Sequence, residues 1–396
     1  VTALFDTIII GAGAAGLMCA SRAGSKGKSV LLLDHAEKIG EKIRISGGGR
    51  CNFTNIHTTP ANFLSDNPHF CKSALSRYSP QNFIDFVKSY DIAYHEKTLG
   101  QLFCDGKATQ IIDMLLAECR KANVVLETKC IIESIKREAD GIFEIQSSKG
   151  LFHSPNLVVA TGGLSIPKIG ATGFGYKIAE QFGHSLITTR AGLVPLTFTD
   201  DTVRLCITLA GLSVDDAVVS VSKVKFDEAM LFTHRGLSGP SILQISSYWR
   251  EGNAIHVNLC PKISVIDWLK QKRKSDSKKM LRTVIEEILP NRLANALVEI
   301  SNLDGQMANL PDSKLLTIAN MINDWTLTPN GTEGYRTAEV TLGGVNTKEI
   351  SSQNFESRIT KGLYFIGEVL DVTGHLGGYN FQWAWASGWC CGESLA

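Results

Sequence analysis

DTIIIGAGAAGL, residues 6–17, sets an unbroken apolar run against three glycines in G-x-G-x-x-G spacing. A short run that is apolar at every position belongs in a parallel sheet covered on both faces. The three glycines serve different ends: Gly11 permits the tight turn, Gly13 lets backbone approach a pyrophosphate, and Gly16 allows close helix-to-strand packing. With Ala14 and Ala15 they form the phosphate-binding turn, whose helix end offers free N–H groups and the positive pole of a dipole. The second strand, SVLLLD, ends at Asp34, where a carboxylate accepts hydrogen bonds from ribose hydroxyls. The same carboxylate disfavours a 2′-phosphate, so the bound adenosine is expected to be that of FAD or NAD, not NADP.

Outward from this βαβ unit, ISGGGRCNFTN (residues 45–55) places three successive glycines before Arg50, Cys51 and Asn52. Pro80 to Tyr90 and Lys107 to Ala122 have helical periodicity, with short strands near Ala93 and Leu102. VVLETKCIIESIKRE and GIFEIQSSKG read as strands about a turn at Asp140-Gly141, and NLVVATGG as another buried strand entering a glycine turn. Composition shifts near Gly192. The runs VPLTF, RLCITLAGLS, DAVVSVSKV, AMLFT and AIHVNL then predict a small antiparallel sheet or barrel, and Ser264 to about Trp325 reads as helical. The strand-glycine pattern returns at Ala338 and closes in the helix FQWAWASGWCCGESL. The expectation is an α/β fold: a discontinuous Rossmann-like domain, residues 1–191 and 337–396, interrupted by 192–336, of which 192–262 is β-rich and barrel-like and 263–336 mainly helical.

At 396 residues the chain exceeds a single core. Forty basic and 39 acidic residues give a formal charge of +1, which argues against attachment to nucleic acid or membrane by global charge. Ten cysteines without framework spacing point to reduced thiols and a cytoplasmic protein. No Cys/His spacing predicts a metal site. The N-terminal apolar stretch is glycine-broken and lacks a basic start, so it reads as a buried strand, not a signal peptide. No apolar run approaches the roughly 18 residues of a membrane span.

Downstream motifs decide between FAD and NAD. VVATGG, with Ala160, Thr161, Gly162 and Gly163, resembles the strand-turn that crosses beside the adenine half in two-part FAD flavoproteins. GLYFIGEVLDVTG resembles their late strand, whose terminal acid reaches the ribityl and pyrophosphate; here Gly367 precedes Glu368, with Asp371 nearby, and either carboxylate fits that role. The amides of Gly378, Tyr379 and Asn380 open the last helix and would face the flavin pyrimidine edge, where a positive dipole end stabilises reduced flavin. Together GAGAAG, ISGGGRCNFTN, ATGG, THRGLSGP, EVTLGGV and IGEVLDVTGHLGGYN resemble the BaiN-like (YhiN-type) bacterial flavoproteins along nearly the whole chain. The resemblance implies non-covalent FAD, a Rossmann-like domain, and an inserted β-barrel plus helical part.

In such a fold Gly47, Gly48 and Gly49 would bring backbone amides to the cofactor, with Lys42, Arg44 and Arg50 offsetting phosphate charge. Cys51 and Asn52 would lie near the isoalloxazine, and Cys130 joins the expected cofactor-binding set. Cys51 is either a proton donor or a small residue in a tight place. Arg235, in THRGLSGP, either grips an anionic or carbonyl group or sits in a capped turn. His375 is either a proton relay or a packing histidine. Trp383, Trp385 and Trp389 read as core, Cys390 and Cys391 as buried thiols. The seven basic residues from Lys270 to Arg282 are either a solvated helix face or an RNA-phosphate patch.

The chemistry expected is that of an FAD-dependent oxidoreductase reducing a conjugated C=C bond with electrons from NAD(P)H. No second G-x-G-x-x-G exists, so the nicotinamide is a transient donor without its own Rossmann domain. The resemblance suggests two acceptors, a small enone-type molecule or uridine in large-subunit ribosomal RNA. The contrasting readings are an oxidase of a small organic substrate and a flavin-binding regulatory module without turnover.

Overall fold

The computed structural model describes residues 2–395 and divides the chain into two compact units: Val1–Arg190 with Val340–Ala396, and Ala191–Glu339. The first unit is built on a five-stranded parallel sheet in the order Leu363–Phe365, Asn156–Val159, Thr7–Ile10, Val30–Leu33, Val125–Glu127. Register pairs Thr7 with Val30 on one side and with Asn156 on the other. Thr7–Ile10 and Val30–Leu33 are buried at every position, the burial that a non-alternating apolar strand requires. An antiparallel ladder, Ile132–Arg137, Phe143–Ser147 and Gly150–Ser154, is extended in parallel by Thr2–Leu4.

The helix Ala14–Ser25 follows the first turn and buries Leu17, Met18, Cys19 and Ala20. It packs against the closing helix Tyr379–Ser394, and glycine sets the approach. A Cβ on Gly388 would lie 2.5 Å from the Ala15 carbonyl oxygen, and one on Gly392 2.7 Å from that of Cys19. Trp383 and Trp385 are buried in this closing helix. The Trp385 indole stacks on Phe83 at 4.4 Å and donates to the Phe53 carbonyl at 2.8 Å, so these rings are core. Phe83 sits on helix Pro80–Lys88, which begins with proline and is fixed by Ser79, whose N–H donates to Asn82 Oδ1 at 2.8 Å.

The second unit has its own core, including Phe232, Leu237, Ile242, Ile255, Leu293, Leu297 and Ile318. Its strands form two separate antiparallel sheets. One runs Ser213–Val214, Met230–Thr233, Gly236–Ser238, Leu196–Thr197, Gly331–Thr332; the other runs Val224–Asp227, Val218–Val221, Ile255–Asn258, Trp325–Leu327. Of the expected antiparallel sheet or barrel, the pairing among the described residues is that of sheets. RLCITLAGLS is not a strand: Asp200–Thr208 is helical. Its β-branched residues suggested extension, but Leu205, Cys206 and Leu209 are buried while Ile207 is 52 % exposed, and that spacing is one helical face. The helices Val265–Ser275, Leu281–Ile285, Asn291–Ser301 and Asp312–Asn323 complete the unit. Its two ends are tied together, because Glu339 N–H donates to Leu193 O and Glu333 N–H to Pro195 O, both at 3.1 Å.

The basic run is an ion-pair network. Lys272 and Lys279 both pair with Asp276 and Glu287, Lys270 and Arg273 with Asp312, and Arg282 with Asp304. Five of its seven cations therefore already face carboxylates, and the solvated-face alternative describes it.

Candidate active site

At the carboxyl edge of the parallel sheet the three glycines of the first turn divide into crowded and open. Gly11 has φ +106°, and a Cβ there would be 2.5 Å from the Ala160 carbonyl oxygen. A Cβ on Gly16 would overlap the Gly11 carbonyl. In front of Gly13 nothing of the chain lies within 4 Å. Gly13 caps the helix without a side-chain bond, so the first-turn N–H groups that a helix leaves unpaired, including those of Ala14, Ala15 and Gly16, open onto that space. Asp34 closes the cradle with one oxygen accepting from Ala12 N–H at 2.7 Å and the other from Ala36 N–H at 2.8 Å. Each oxygen retains lone-pair capacity for a ribose hydroxyl. Behind Gly11, Thr161 carries a buried hydroxyl with no hydrogen-bond partner among the described residues, and that hydroxyl lies against Gly175. An open glycine cradle at a helix N-terminus and a carboxylate at its rim are the donor set a dinucleotide such as FAD would complete. Cys130 does not present its thiol there: the residue is buried, and its backbone N–H is held by Asp34 O at 2.9 Å.

Lys42 is expected to offset phosphate charge and Glu368 is one of two carboxylates expected at the ribityl chain. They bind each other, Lys42 Nζ lying 2.5 Å from Glu368 Oε2 and 2.6 Å from Ser165 Oγ. Glu368 Oε1 accepts from Thr341 N–H at 2.9 Å, and Thr341 Oγ1 accepts from Leu164 N–H at 2.8 Å and Ser165 N–H at 3.2 Å. A Cβ on Gly163 would lie 2.5 Å from that same hydroxyl. Gly162 has φ +72°, so the turn after the strand follows this knot tightly. Sequence reading missed Ser165 and Thr341, since partners so remote in the chain leave no local spacing signal. Asp371 is the other candidate carboxylate. It is buried, accepts from Asp66 N–H at 2.8 Å and Ser65 Oγ at 3.3 Å, and burial raises its carboxyl pKa. It pins a loop of its own unit.

The glycine stretch lies at the end of a helix, Glu41–Gly49, whose regular turns stop before Ser46 (φ −63°, ψ 148°). Gly47 and Gly48 are left-handed, with φ +58° and +66°, a conformation that costs L side chains free energy. A Cβ on Gly47 would be 2.7 Å from the Phe103 ring, whereas Gly48 faces open space, as does Gly49 apart from Arg44 O at 4.0 Å. Arg50 is exposed; Arg44 pairs with Glu41 at 2.8 Å. Cys51 is fully buried, with φ +50°, against Ser46 and Cys104, and desolvation raises its thiol far above the ordinary range. A thiol with no exposed surface hands no proton to a bound molecule, so the geometry supports the packing alternative. Neighbouring Asn52 has its amide 3.1 Å from Gln101 Oε1.

The turn into the closing helix is held by its own amides. Asn380 Oδ1 accepts from Gly374 N–H at 2.8 Å while its Nδ2 donates to Gly374 O at 2.9 Å and His375 O at 3.2 Å. A Cβ on Gly378 would overlap the Thr54 carbonyl. Buried Asn55 donates to Gly377 O at 2.9 Å, and Thr54 Oγ1 donates to Gln382 Oε1 at 2.6 Å. These ties leave the first-turn N–H groups after Gly378, those of Tyr379 and Asn380 among them, at a helix N-terminus. Gly367 N–H is held by Ser387 Oγ at 3.0 Å. His375 donates its backbone N–H to Asn62 O at 2.9 Å, and its ring meets Tyr379 edge-on at 6.0 Å. Burial pushes the imidazole down to about 4, so it is neutral at neutral pH. Arg235 belongs to the second unit, in a turn where Thr233 Oγ1 accepts from the N–H groups of Arg235 at 3.3 Å and Gly236 at 3.2 Å. Among the described residues no group of three His, Cys, Asp or Glu side chains could hold a metal ion, and no helix is long and apolar enough to cross a membrane.

A parallel sheet ending in this cradle defines a Rossmann-type FAD flavoprotein, an oxidoreductase by class. Residues 5–394 match the HI0933-like protein Rossmann domain, and the chain belongs to that family. It is 50 % identical over 392 residues to the ribosomal RNA dihydrouridine synthase of Escherichia coli (strain K12), covering 99 % of this chain and 98 % of that one. It is 30 % identical over 412 residues to the 3-dehydro-bile acid delta(4,6)-reductase of Clostridium scindens, covering 98 % of each. Among solved structures, a quinol-fumarate reductase with menaquinol molecules superimposes with a TM-score of 0.53 at 15 % identity, over all of this chain and 71 % of that one; this likeness is one of fold.

Proposed function

We propose that this protein reduces the uracil ring of uridine in large-subunit ribosomal RNA to dihydrouridine, with NAD(P)H as electron donor, in the cytoplasm. The observation that carries the reading is the 50 % identity, across 99 % of this chain, to a protein described as a ribosomal RNA dihydrouridine synthase. The reaction balances as NAD(P)H, a proton and uridine giving NAD(P)+ and dihydrouridine. Bound FAD supplies hydride transfer between donor and C=C acceptor. Ala14, Ala15 and Gly16 would hold its pyrophosphate at the open face of Gly13, Asp34 its ribose, and the amides after Gly378 the electron-accepting edge of the ring. The left-handed backbone at Gly47 and Gly48 offers further N–H groups without side chains in the way. Of the two candidates for proton delivery, Cys51 is sealed. We assign the relay to His375, whose neutral imidazole serves as a hydrogen-bonding group and not as a charged acid.

The 30 % relative favours a second reading, reduction of a small enone. Nucleoside mass spectrometry of ribosomal RNA from a deletion strain, bare and complemented, separates the two. Dihydrouridine lost on deletion and restored by this gene supports the RNA reading; unchanged dihydrouridine together with NAD(P)H-driven turnover of an enone replaces it.

A further inference from the structure

The first unit carries a second feature, away from the cofactor cradle in sequence and not used by the reaction. A cavity of about 150 Å³ opens between the segment Asn67–Phe70 and the segment from Thr347 to Arg358. This is well below the roughly 300–1,000 Å³ of sites for drug-sized ligands, and its scale is that of a small anion. Its rim carries Lys348, Arg358 and His69, and no carboxylate lines it. Lys348 and Arg358 make no ion pair among the described residues, in contrast to the five paired cations of the basic run. The nearest acid on the same segment, Glu349, is turned to Ser185, accepting from its N–H at 2.9 Å and its Oγ at 2.6 Å, and it also meets His184 at 3.2 Å. Arg358 is fixed at one nitrogen only, Nε to Ile350 O at 3.3 Å, which leaves the two terminal nitrogens of its fork for a ligand.

An independent observation points the same way. Thr347, another lining residue, is 1 % exposed, and its hydroxyl is buried with no hydrogen-bond partner among the described residues. A buried hydroxyl left unpaired is destabilising, and a ligand oxygen would relieve it. The cavity is also held in shape: Phe70 beneath it packs edge-on against Phe355 at 5.8 Å and Trp383 at 6.2 Å. Its first wall is anchored because Asp371 accepts from Ser65 Oγ and Asp66 N–H immediately before Asn67.

We propose that this pocket binds a backbone phosphate of the RNA substrate, with Arg358 and Lys348 supplying charge and Thr347 the buried hydrogen bond, so that it registers the RNA strand and reads no base. Phosphate contacts fix position without carrying sequence. The assignment rests on the ribosomal RNA reading above.

The test measures binding of the FAD-loaded protein to a ribosomal RNA fragment across a salt series, for the parent, for Arg358→Gln with Lys348→Gln, and for Thr347→Val. Both charged residues are exposed, so the double variant should fold and keep its flavin. The expected result is about tenfold weaker binding with a log-log salt slope smaller by about 1, and a smaller loss for Thr347→Val. Unaltered affinity and slope in the double variant, while the parent modifies ribosomal RNA, overturns the pocket and spares the functional reading. A parent that neither binds nor modifies ribosomal RNA overturns the reading and the RNA assignment together. If inorganic phosphate raises the parent's melting temperature but not the double variant's, and RNA binding is equal in both, the site serves a free anion and the RNA assignment falls.

Discussion

The two glycine-rich stretches of the first unit look alike in sequence and differ in structure. Gly11 and Gly16 are glycines because other backbone atoms already occupy the place of a Cβ, while Gly13 between them faces open space. At the second stretch Gly47 crowds Phe103 and Gly48 is open, but the backbone is left-handed and trails a helix instead of starting one. Crowded glycines belong to the fold and open ones to a ligand. The first stretch aims a helix N-terminus at its open face; the second offers only a bare turn.

The sharpest way to break that distinction is to fill both kinds of position. Gly13→Leu is expected to yield folded protein without flavin, because the added side chain meets nothing in the chain and everything in the cradle. Gly11→Val, by contrast, must fail in folding: it forces a β-branched residue to φ +106° against a carbonyl oxygen. Flavin absorbance and circular dichroism of the two purified variants read the difference, and a flavin-loaded Gly13→Leu sinks the cradle assignment. Denaturation of the parent should release FAD intact, with none attached to the polypeptide.

Cys51 tests the second stretch. A general acid contributes about 10²–10⁴-fold, so loss on that scale in Cys51→Ala would return it to the chemistry. The buried thiol predicts instead turnover within about threefold of the parent, full flavin, and roughly 1 kcal/mol of lost stability from the small cavity.

A smaller effect concerns pH. The folded value of His375, about 4, lies below its ordinary 6.5, because burial disfavours the imidazolium. As pH falls from about 6.5 the unfolded chain takes up a proton that the folded chain refuses, so stability declines until about pH 4 and this contribution then levels off. His375→Gln should flatten the dependence of the melting temperature on pH across that window; an equally steep profile would mean that the ring is not held neutral. Smallest of all is the basic run. Exchanging Lys272, Arg273, Lys278 and Lys279 for Gln should leave the salt slope of RNA binding unchanged, since three of the four already face carboxylates. A flattened slope would make that face an RNA surface after all.

The sequence was most readable where the deciding contacts are local. The βαβ unit, its glycine turn and Asp34 lie within one short segment, and period and spacing sufficed. It was least readable where the deciding partner is remote. Nothing near Lys42 announces Glu368, and nothing near Asp371 announces Asp66. Cys51 misled for a related reason: adjacency to glycines implies an open site, but the residue is fully buried, with Ser46 and Cys104 beside its thiol. The helix at Asp200–Thr208 was lost to β-branched composition, although its buried residues keep helical spacing.

The hydrogen bonds that close the ends of the second unit have a consequence for how the chain folds. The first unit is made of two sequence segments separated by Ala191–Glu339, and its opening and closing helices must meet across that gap. For a flexible intervening chain the entropic barrier to that meeting grows with the logarithm of its length. Once the intervening unit has formed its own core, the Glu339–Leu193 and Glu333–Pro195 bonds bring its entrance and exit together. The effective loop then shrinks to a few residues, and the nucleotide-binding sheet completes itself almost as a continuous chain would. Damage to the second unit's core should therefore appear first as slow acquisition of flavin during refolding, well before any change in the finished cradle.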